Sequence, residues 1–231
     1  MGEIWIDGAV PLSGEVRIQG SKNAALPMMA AALLHEGVTV LHGCPRIADV
    51  RMMEKILNLL GVETYWKDHS LILDCHRVTG TEIMDDCASC MRSSIILLGS
   101  MLARKGKMKI TYPGGCAIGK RPIDLHLMAM EKMGARIEEH EGFLLVESSG
   151  RLEGKMIEFP FPSVGATENT LLAAVLAKGT TRLINCAREP EIIHLCHFLQ
   201  AMGAEIGGIG TGELWVRGVR TLRDVEYQVP P

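Results

Sequence analysis

The chain repeats itself, and that self-similarity constrains its fold more than any single motif. Three segments share one order: an apolar helix, a glycine, a short strand, a cysteine-bearing loop, an amphipathic helix ending in glycine, then a pair of strands. The first reads A-L-P-M-M-A-A-A-L-L-H-E-G-V-T-V-L, G-C-P-R-I-A-D-V and M-M-E-K-I-L-N-L-L-G-V-E. The second reads S-S-I-I-L-L-G-S-M-L-A-R-K-G-K-M-K-I, G-G-C-A-I-G-K-R-P-I-D-L and L-M-A-M-E-K-M-G-A-R. The third reads N-T-L-L-A-A-V-L-A-K-G-T-T-R-L, N-C-A-R-E-P-E-I and L-C-H-F-L-Q-A-M-G-A-E. Junction glycines fall at Gly37, Gly106 and Gly179, at intervals of 69 and 73 residues; helix-ending glycines fall at Gly61, Gly134 and Gly203, at intervals of 73 and 69. A glycine after the last periodic residue is the expected left-handed helix stop, so these positions are physical punctuation as well as marks of register.

The first helix of each unit is apolar nearly all round and requires burial on every side, whereas the second carries the 3.6-residue stripe of a half-buried helix. Stretches such as G-V-E-T-Y-W-K-D-H-S-L-I-L-D and A-R-I-E-E-H-E-G-F-L-L-V-E supply strand pairs with one polar face. The expected fold is α/β: an inside-out α/β barrel of three repeated units, with buried helices surrounded by outer sheets and pseudo-threefold symmetry. The units fall at about 21–90, 91–160 and 161–220. Residues 1–20 read as a strand hairpin outside the first repeat, and the tail 221–231 reads as a truncated linker.

Composition excludes several classes. A formal charge of -3 and a pI near 6.2, with Lys and Arg scattered, give no footprint for nucleic acid. No apolar run reaches the roughly 20 residues of a membrane helix, and M-G-E-I-W-I-D lacks the order of a signal peptide. Seven cysteines fit reduced thiols in a cytoplasm better than a disulfide framework.

The middle copy departs from its siblings. Units one and three span 24 residues from junction glycine to helix-ending glycine; unit two spans 28, a four-residue insertion in the loop that carries Cys116. Cys44 and Cys186 mark the shorter copies, where packing suffices as a role. Gly114 to Lys120 spells G-x-x-x-x-G-K, but Arg121 and Pro122 stand where a nucleotide-binding loop needs Ser or Thr for magnesium, so the triphosphate reading fails. What remains is an anion site. Gly114, Gly115 and Gly119 permit close backbone approach, Lys120 and Arg121 supply cations, and Pro122 suits the first turn of a helix whose amide end favours negative charge. Cations beside a thiol lower its pKa and make it reactive. Asp124 and His126 lie beyond as hydrogen-bonding groups for a hydroxylated substrate. Cys87 and Cys90 form one C-x-x-C near Cys75-His76, weak as a zinc signature, and no metal or other cofactor is expected.

P-G-G-C-A-I-G-K-R-P-I-D-L-H resembles the catalytic loop of the UDP-N-acetylglucosamine carboxyvinyltransferase branch of the enolpyruvyl transferase family. G-S-K-N-A-A-L-P (20–27), M-R-S-S (91–94), S-V-G-A-T-E-N (163–169) and A-R-E-P-E-I (187–192) agree with it. The resemblance implies transfer of the enolpyruvyl group of phosphoenolpyruvate to the 3-hydroxyl of UDP-N-acetylglucosamine, by addition and then elimination of phosphate, opening peptidoglycan synthesis. It implies Cys116 as general acid, able to form a covalent adduct with phosphoenolpyruvate and open to alkylation by fosfomycin. It implies Lys22, Asn23, Arg92 and Arg121 on phosphoenolpyruvate, and Arg92, Arg121, Pro122, Ile123, Asp124, Leu125, Ser163, Val164 and Gly165 on the UDP-sugar. Ser163 and Thr167 also suit helix capping. Phe161 stands where some members carry Lys. The family has two such three-unit domains with the site between them; this chain holds one, so a base and further arginines are expected from a second domain, in trans if at all. The shikimate-pathway transferase is disfavoured because its logic does not call for a cysteine in this loop, and a chain that binds UDP-sugar without turnover is the alternative from another class.

Overall fold

The computed structural model describes residues 3–16, 18–84, 91–112 and 123–231. Among them stand six α-helices: α1 (Lys22–Ala32), α2 (Ala48–Leu59), α3 (Leu97–Lys105), α4 (Asp124–Lys132), α5 (Val164–Ala174) and α6 (Pro190–Ala201). A 3-10 turn, Arg92–Ile96, leads into α3. No described helix is long and apolar enough to cross a membrane.

The strands form three four-stranded sheets. Unit one contributes β1 (Val38–His42), β2 (Glu63–Lys67), β3 (Ser70–Asp74) and β4 (Glu82–Ile83); unit two β5 (Lys107–Thr111), β6 (Arg136–His140), β7 (Phe143–Glu147) and β8 (Met156–Glu158); unit three β9 (Thr180–Ile184), β10 (Glu205–Gly207), β11 (Glu213–Arg217) and β12 (Val225–Gln228). Within a unit the pairing is antiparallel, as the hairpins predict. Each unit then gives its last strand to the next sheet in parallel: β4 to β5, β8 to β9, and β12 back to β1. The exchange is cyclic, so the third unit closes on the first.

Burial follows the sequence pattern. Every residue from Ala24 to Ala32 of α1 and from Ala166 to Ala174 of α5 is buried, as are Leu97 to Leu102 of α3. The second helix of each unit buries one stripe only, Val50, Met53, Ile56 and Leu57 in α2. The glycines that stop these second helices, Gly61, Gly134 and Gly203, take φ of +96°, +97° and +105°, a region costly for any other residue.

The two ends of the chain are built differently. Residues 3–16 and 18–20 carry no strand, and Ile4, Trp5, Ile6, Val10, Leu12, Val16 and Ile18 are 72–97% exposed. The tail, in contrast, is part of the ring. Val229 N–H donates to the His42 carbonyl at 2.9 Å, Ser21 N–H to the Pro230 carbonyl at 2.7 Å, and Tyr227 meets Phe198 edge to face. Ending the chain at Asp224 strips β1 of its parallel partner and removes from the core Val225 and Val229, both at least nine-tenths buried. The expected loss is about 2 kcal/mol, read as a lower urea midpoint; an unchanged midpoint would show that ring closure contributes nothing.

Candidate functional site

The polar exceptions to the buried helices mark the site. In α5 the fully apolar pattern breaks at Thr167, Glu168, Asn169 and Thr170, all buried and all in the first two turns. Ser163 caps the helix, its hydroxyl accepting from Ala166 N–H at 3.4 Å, and Ser21 caps α1 in the same way through Ala24 N–H. Each cap satisfies one of the free amides of a helix start, and the remaining amides and the helix dipole favour an anion there. Thr167 proves to be no cap: its hydroxyl accepts from Ala187 N–H at 3.1 Å and ties the loop before α6 to the first turns of α5.

Side-chain contacts gather the helix starts at one end of the molecule. Asn23 on α1 donates to the Glu191 carboxylate on α6 at 3.2 Å, and Lys22 pairs with Asp49 on α2 at 2.8 Å, both partly exposed. Glu168 on α5 is 8% exposed and faces Glu191 and Glu189; burial, then those two charges, push its carboxyl up to about 8, so it carries a proton at neutral pH. His126 on α4 is 6% exposed, 3.0 Å from Asn169 Nδ2, and close to Gly165. Burial and the Arg92 guanidinium hold its imidazole down at about 4, against the weaker pull of Asp124. The starts of α1, α4, α5 and α6 and the 3-10 turn therefore share one neighbourhood, with Lys22 and Arg92 among its described cations.

The residues singled out in the sequence fall into three groups. Lys22, Asn23, Arg92, Ser163, Val164 and Gly165 are brought to this neighbourhood. Ile123 and Asp124 begin α4 beside it, and Leu125 follows with a side chain 7% exposed and packed in the core. Cys116, Lys120, Arg121 and Pro122, and the Cys87–Cys90 pair, lie outside the described residues. His126, read from the sequence as a substrate contact, is buried with one ring nitrogen engaged by Asn169. Asp49, Glu168, Asn169 and Glu191 received no role from the sequence; the signal for Glu168 and Asn169 was their charge and amide inside an otherwise apolar helix.

The described cysteines are poor nucleophiles. Cys44, Cys75 and Cys196 are buried and their thiols are pushed up to about 12 by desolvation, and burial raises that of Cys186 as well. The shorter copies of the cysteine loop thus use their thiol for packing. Among the described residues no cluster of three His, Cys, Asp or Glu side chains is arranged to hold a metal.

Similarity to known proteins agrees with this arrangement. The family model for EPSP synthase (3-phosphoshikimate 1-carboxyvinyltransferase) matches residues 6–231. UDP-N-acetylglucosamine 1-carboxyvinyltransferase 2 of Caldanaerobacter subterraneus subsp. tengcongensis is 46% identical over 231 residues, 100% of this chain and 55% of that protein. The UDP-N-acetylglucosamine 1-carboxyvinyltransferase of Chlorobium luteolum is 48% identical over 98% of this chain and 54% of its own length. Among solved structures, the enolpyruvyl transferase NikO from Streptomyces tendae superposes with a TM-score of 0.83 at 22% identity, over 95% of this chain and 52% of that one. EPSP synthase from Acinetobacter baumannii follows at 0.72 and 23%, over 94% and 49%. At such identity these two structures speak for the fold alone. The chain spans about half the length of the curated relatives it matches. With its family model matched over nearly the whole length, and its helix starts gathered into one anion-favouring end, the chain belongs to the EPSP synthase family of carboxyvinyl transferases.

Proposed function

We propose that the chain is the cysteine-loop half of a UDP-N-acetylglucosamine 1-carboxyvinyltransferase. It takes part in moving the enolpyruvyl group of phosphoenolpyruvate to the 3-hydroxyl of UDP-N-acetylglucosamine, the committed step of peptidoglycan synthesis in the cytoplasm. The observation that carries this reading is that Lys22, Asn23, Arg92 and the Ser163–Gly165 turn, far apart in sequence, meet at one end of the helices. The 44–48% identity to proteins of that name favours the sugar nucleotide as acceptor. The cyclic strand exchange around three buried helices supports the inside-out barrel.

In this reading the sugar hydroxyl adds to C2 of phosphoenolpyruvate while the Cys116 thiol delivers a proton to C3. Loss of a C3 proton then expels phosphate and restores the double bond. Lys22 and Arg121 neutralise the phosphate, Asn23 and Arg92 orient the anions, and Pro122 to Leu125 with Ser163 to Gly165 hold the UDP-sugar. A second domain, to which residues 1–20 belong, supplies the base and further arginines. The exposed apolar side chains of residues 4–18 support a missing neighbour there.

Phosphate release from phosphoenolpyruvate, with and without UDP-N-acetylglucosamine, tests the assignment. It is measured on the chain alone and with the remaining half of the Caldanaerobacter relative added in trans. Sugar-nucleotide-dependent release is expected only in the mixture, and Cys116→Ala is expected to lower it by 10²-fold or more. Release that ignores Cys116→Ala, or none in either sample despite folded protein, refutes it.

A further inference from the structure

The ring of His126 is held in one protonation state by neighbours whose own roles are fixed. Asn169, fully buried on α5, accepts the Gly99 N–H on its Oδ1 at 2.6 Å, and that backbone group can only donate. Its Nδ2 donates to the Ile95 carbonyl at 3.0 Å, a group that can only accept. These two bonds settle which way the amide points. The same Nδ2 lies 3.0 Å from His126 Nδ1, so Nδ1 is the acceptor and the ring proton sits on Nε2. A proton on Nδ1 would set two donors face to face in a buried site. The charged groups acting on the ring are Arg92, from the 3-10 turn, and Asp124, from its own helix; burial and Arg92 prevail over Asp124 and keep it neutral.

The free end of the ring faces the first turn of α5. A Cβ built on Gly165 would lie 3.3 Å from Nε2 and 3.1 Å from Cε1. Among the described residues Nε2 has no hydrogen-bond partner. The missing side chain of Gly165 makes room for the ring itself, so the Nε2–H is held against a helix start, where it can donate to an acceptor.

We propose that Asn169 is a positioning residue that holds His126 as a neutral imidazole, whose Nε2–H donates to an acceptor oxygen of the sugar nucleotide seated over Gly165. The proposal rests on the UDP-sugar reading of the Ser163–Gly165 turn. Such a donor adds direction without charge. Lys22 and Arg92 attract any anion, whereas a fixed N–H rewards only a ligand that places an acceptor on its axis, and it keeps that character from alkaline pH down to the acid range.

The test labels the chain with ¹⁵N-histidine and identifies the His126 ring by its disappearance in His126→Gln. The expected spectrum is a neutral ring with its proton on Nε2, unchanged between pH 8 and pH 6, whose Nε2 resonance moves when UDP-N-acetylglucosamine is added in the presence of the second half. Asn169→Asp keeps an acceptor for Gly99 N–H but turns an oxygen toward Nδ1. It is expected to draw a proton onto Nδ1 and raise the pH at which the ring titrates. His126→Leu is expected to weaken UDP-N-acetylglucosamine binding roughly tenfold, the loss of one buried hydrogen bond. His126→Gln, which keeps an N–H near the Nε2 position, should recover most of it. The spectra of the unaltered chain decide the question even where a variant fails to fold. A proton on Nδ1, or titration near pH 6.5, overturns the proposal. Binding that leaves the His126 ring unmoved overturns it while sparing the proposed function. No binding of UDP-N-acetylglucosamine at all overturns the proposed function, and this inference with it.

Discussion

Gly99→Val yields no folded protein, and Gly99→Ala folds with a loss of about 3 kcal/mol. Gly99 lies on α3 where α3 crosses α5, and a Cβ there would run into the Asn169 carbonyl oxygen and sit 2.6 Å from Asn169 Oδ1. Neither atom can retreat cheaply. The carbonyl belongs to the backbone of a helix buried along its length, and Oδ1 is the acceptor for Gly99's own N–H. Parting the helices enough for one methyl group strains the core by 1–3 kcal/mol and stretches a buried hydrogen bond whose loss costs a similar amount. Two further methyls bring the total to the order of 5 kcal/mol or more, comparable with the whole stability of a typical domain. Gly212 is the control, since it has open space around it and no positive φ, so Gly212→Ala should stay within about 0.5 kcal/mol. Urea unfolding of the three variants reads this directly, and a Gly99→Ala protein as stable as the control would remove the close crossing from the account.

Much of the fold was legible because its signals are local. Glycine stops, all-apolar helices and alternating strand pairs each declare themselves within a dozen residues, and their recurrence supplied the threefold order. The strands that close the ring were not legible for the opposite reason. β4 has two residues and β8 three, too few for an alternating pattern, and β12 lies in a tail whose partner β1 is 186 residues earlier. Pairing over that distance leaves no mark in either segment alone. The site divides in the same way. Lys22, Asn23, Arg92 and Ser163 sit in motif strings at helix starts and could be named before any coordinates. Leu125 shares such a string, yet its side chain serves the core. Asn169 was invisible as a functional residue because its three bonds, to Gly99, Ile95 and His126, join segments that the sequence does not bring together.

At pH 8, Glu168→Gln stabilises the protein by roughly 4 kcal/mol, and at pH 5 by about 1. The carboxyl of Glu168 is raised from an ordinary 4.5 to about 8, by burial first and then by Glu191 and Glu189. Between those values the folded chain holds a proton that the unfolded chain has released. Stability contributed by this group is therefore complete below pH 4.5 and is lost as pH climbs toward 8, at about 1.4 kcal/mol per unit. Glutamine keeps the shape and stays neutral throughout, so the alkaline slope disappears. A second source of opposite sign overlaps it on the acid side: His126, depressed from 6.5 to about 4, withdraws stability as pH falls through that interval in both proteins, so between pH 4.5 and 6.5 the two slopes offset each other in the wild type and the His126 slope stands alone in the variant. Unfolding midpoints at pH 5, 6.5 and 8 separate the two effects. Parallel profiles for wild type and variant would mean that Glu168 ionises freely in the fold. The same proton also matters to the site. While Glu168 is neutral, the Asn23–Glu191 contact borders two carboxylates from α6; once it ionises, a third negative charge stands among helix starts that otherwise favour an anion. Binding of phosphoenolpyruvate should consequently weaken above pH 8 in the wild type and hold level in Glu168→Gln, so the variant that gains stability also keeps its ligand at alkaline pH.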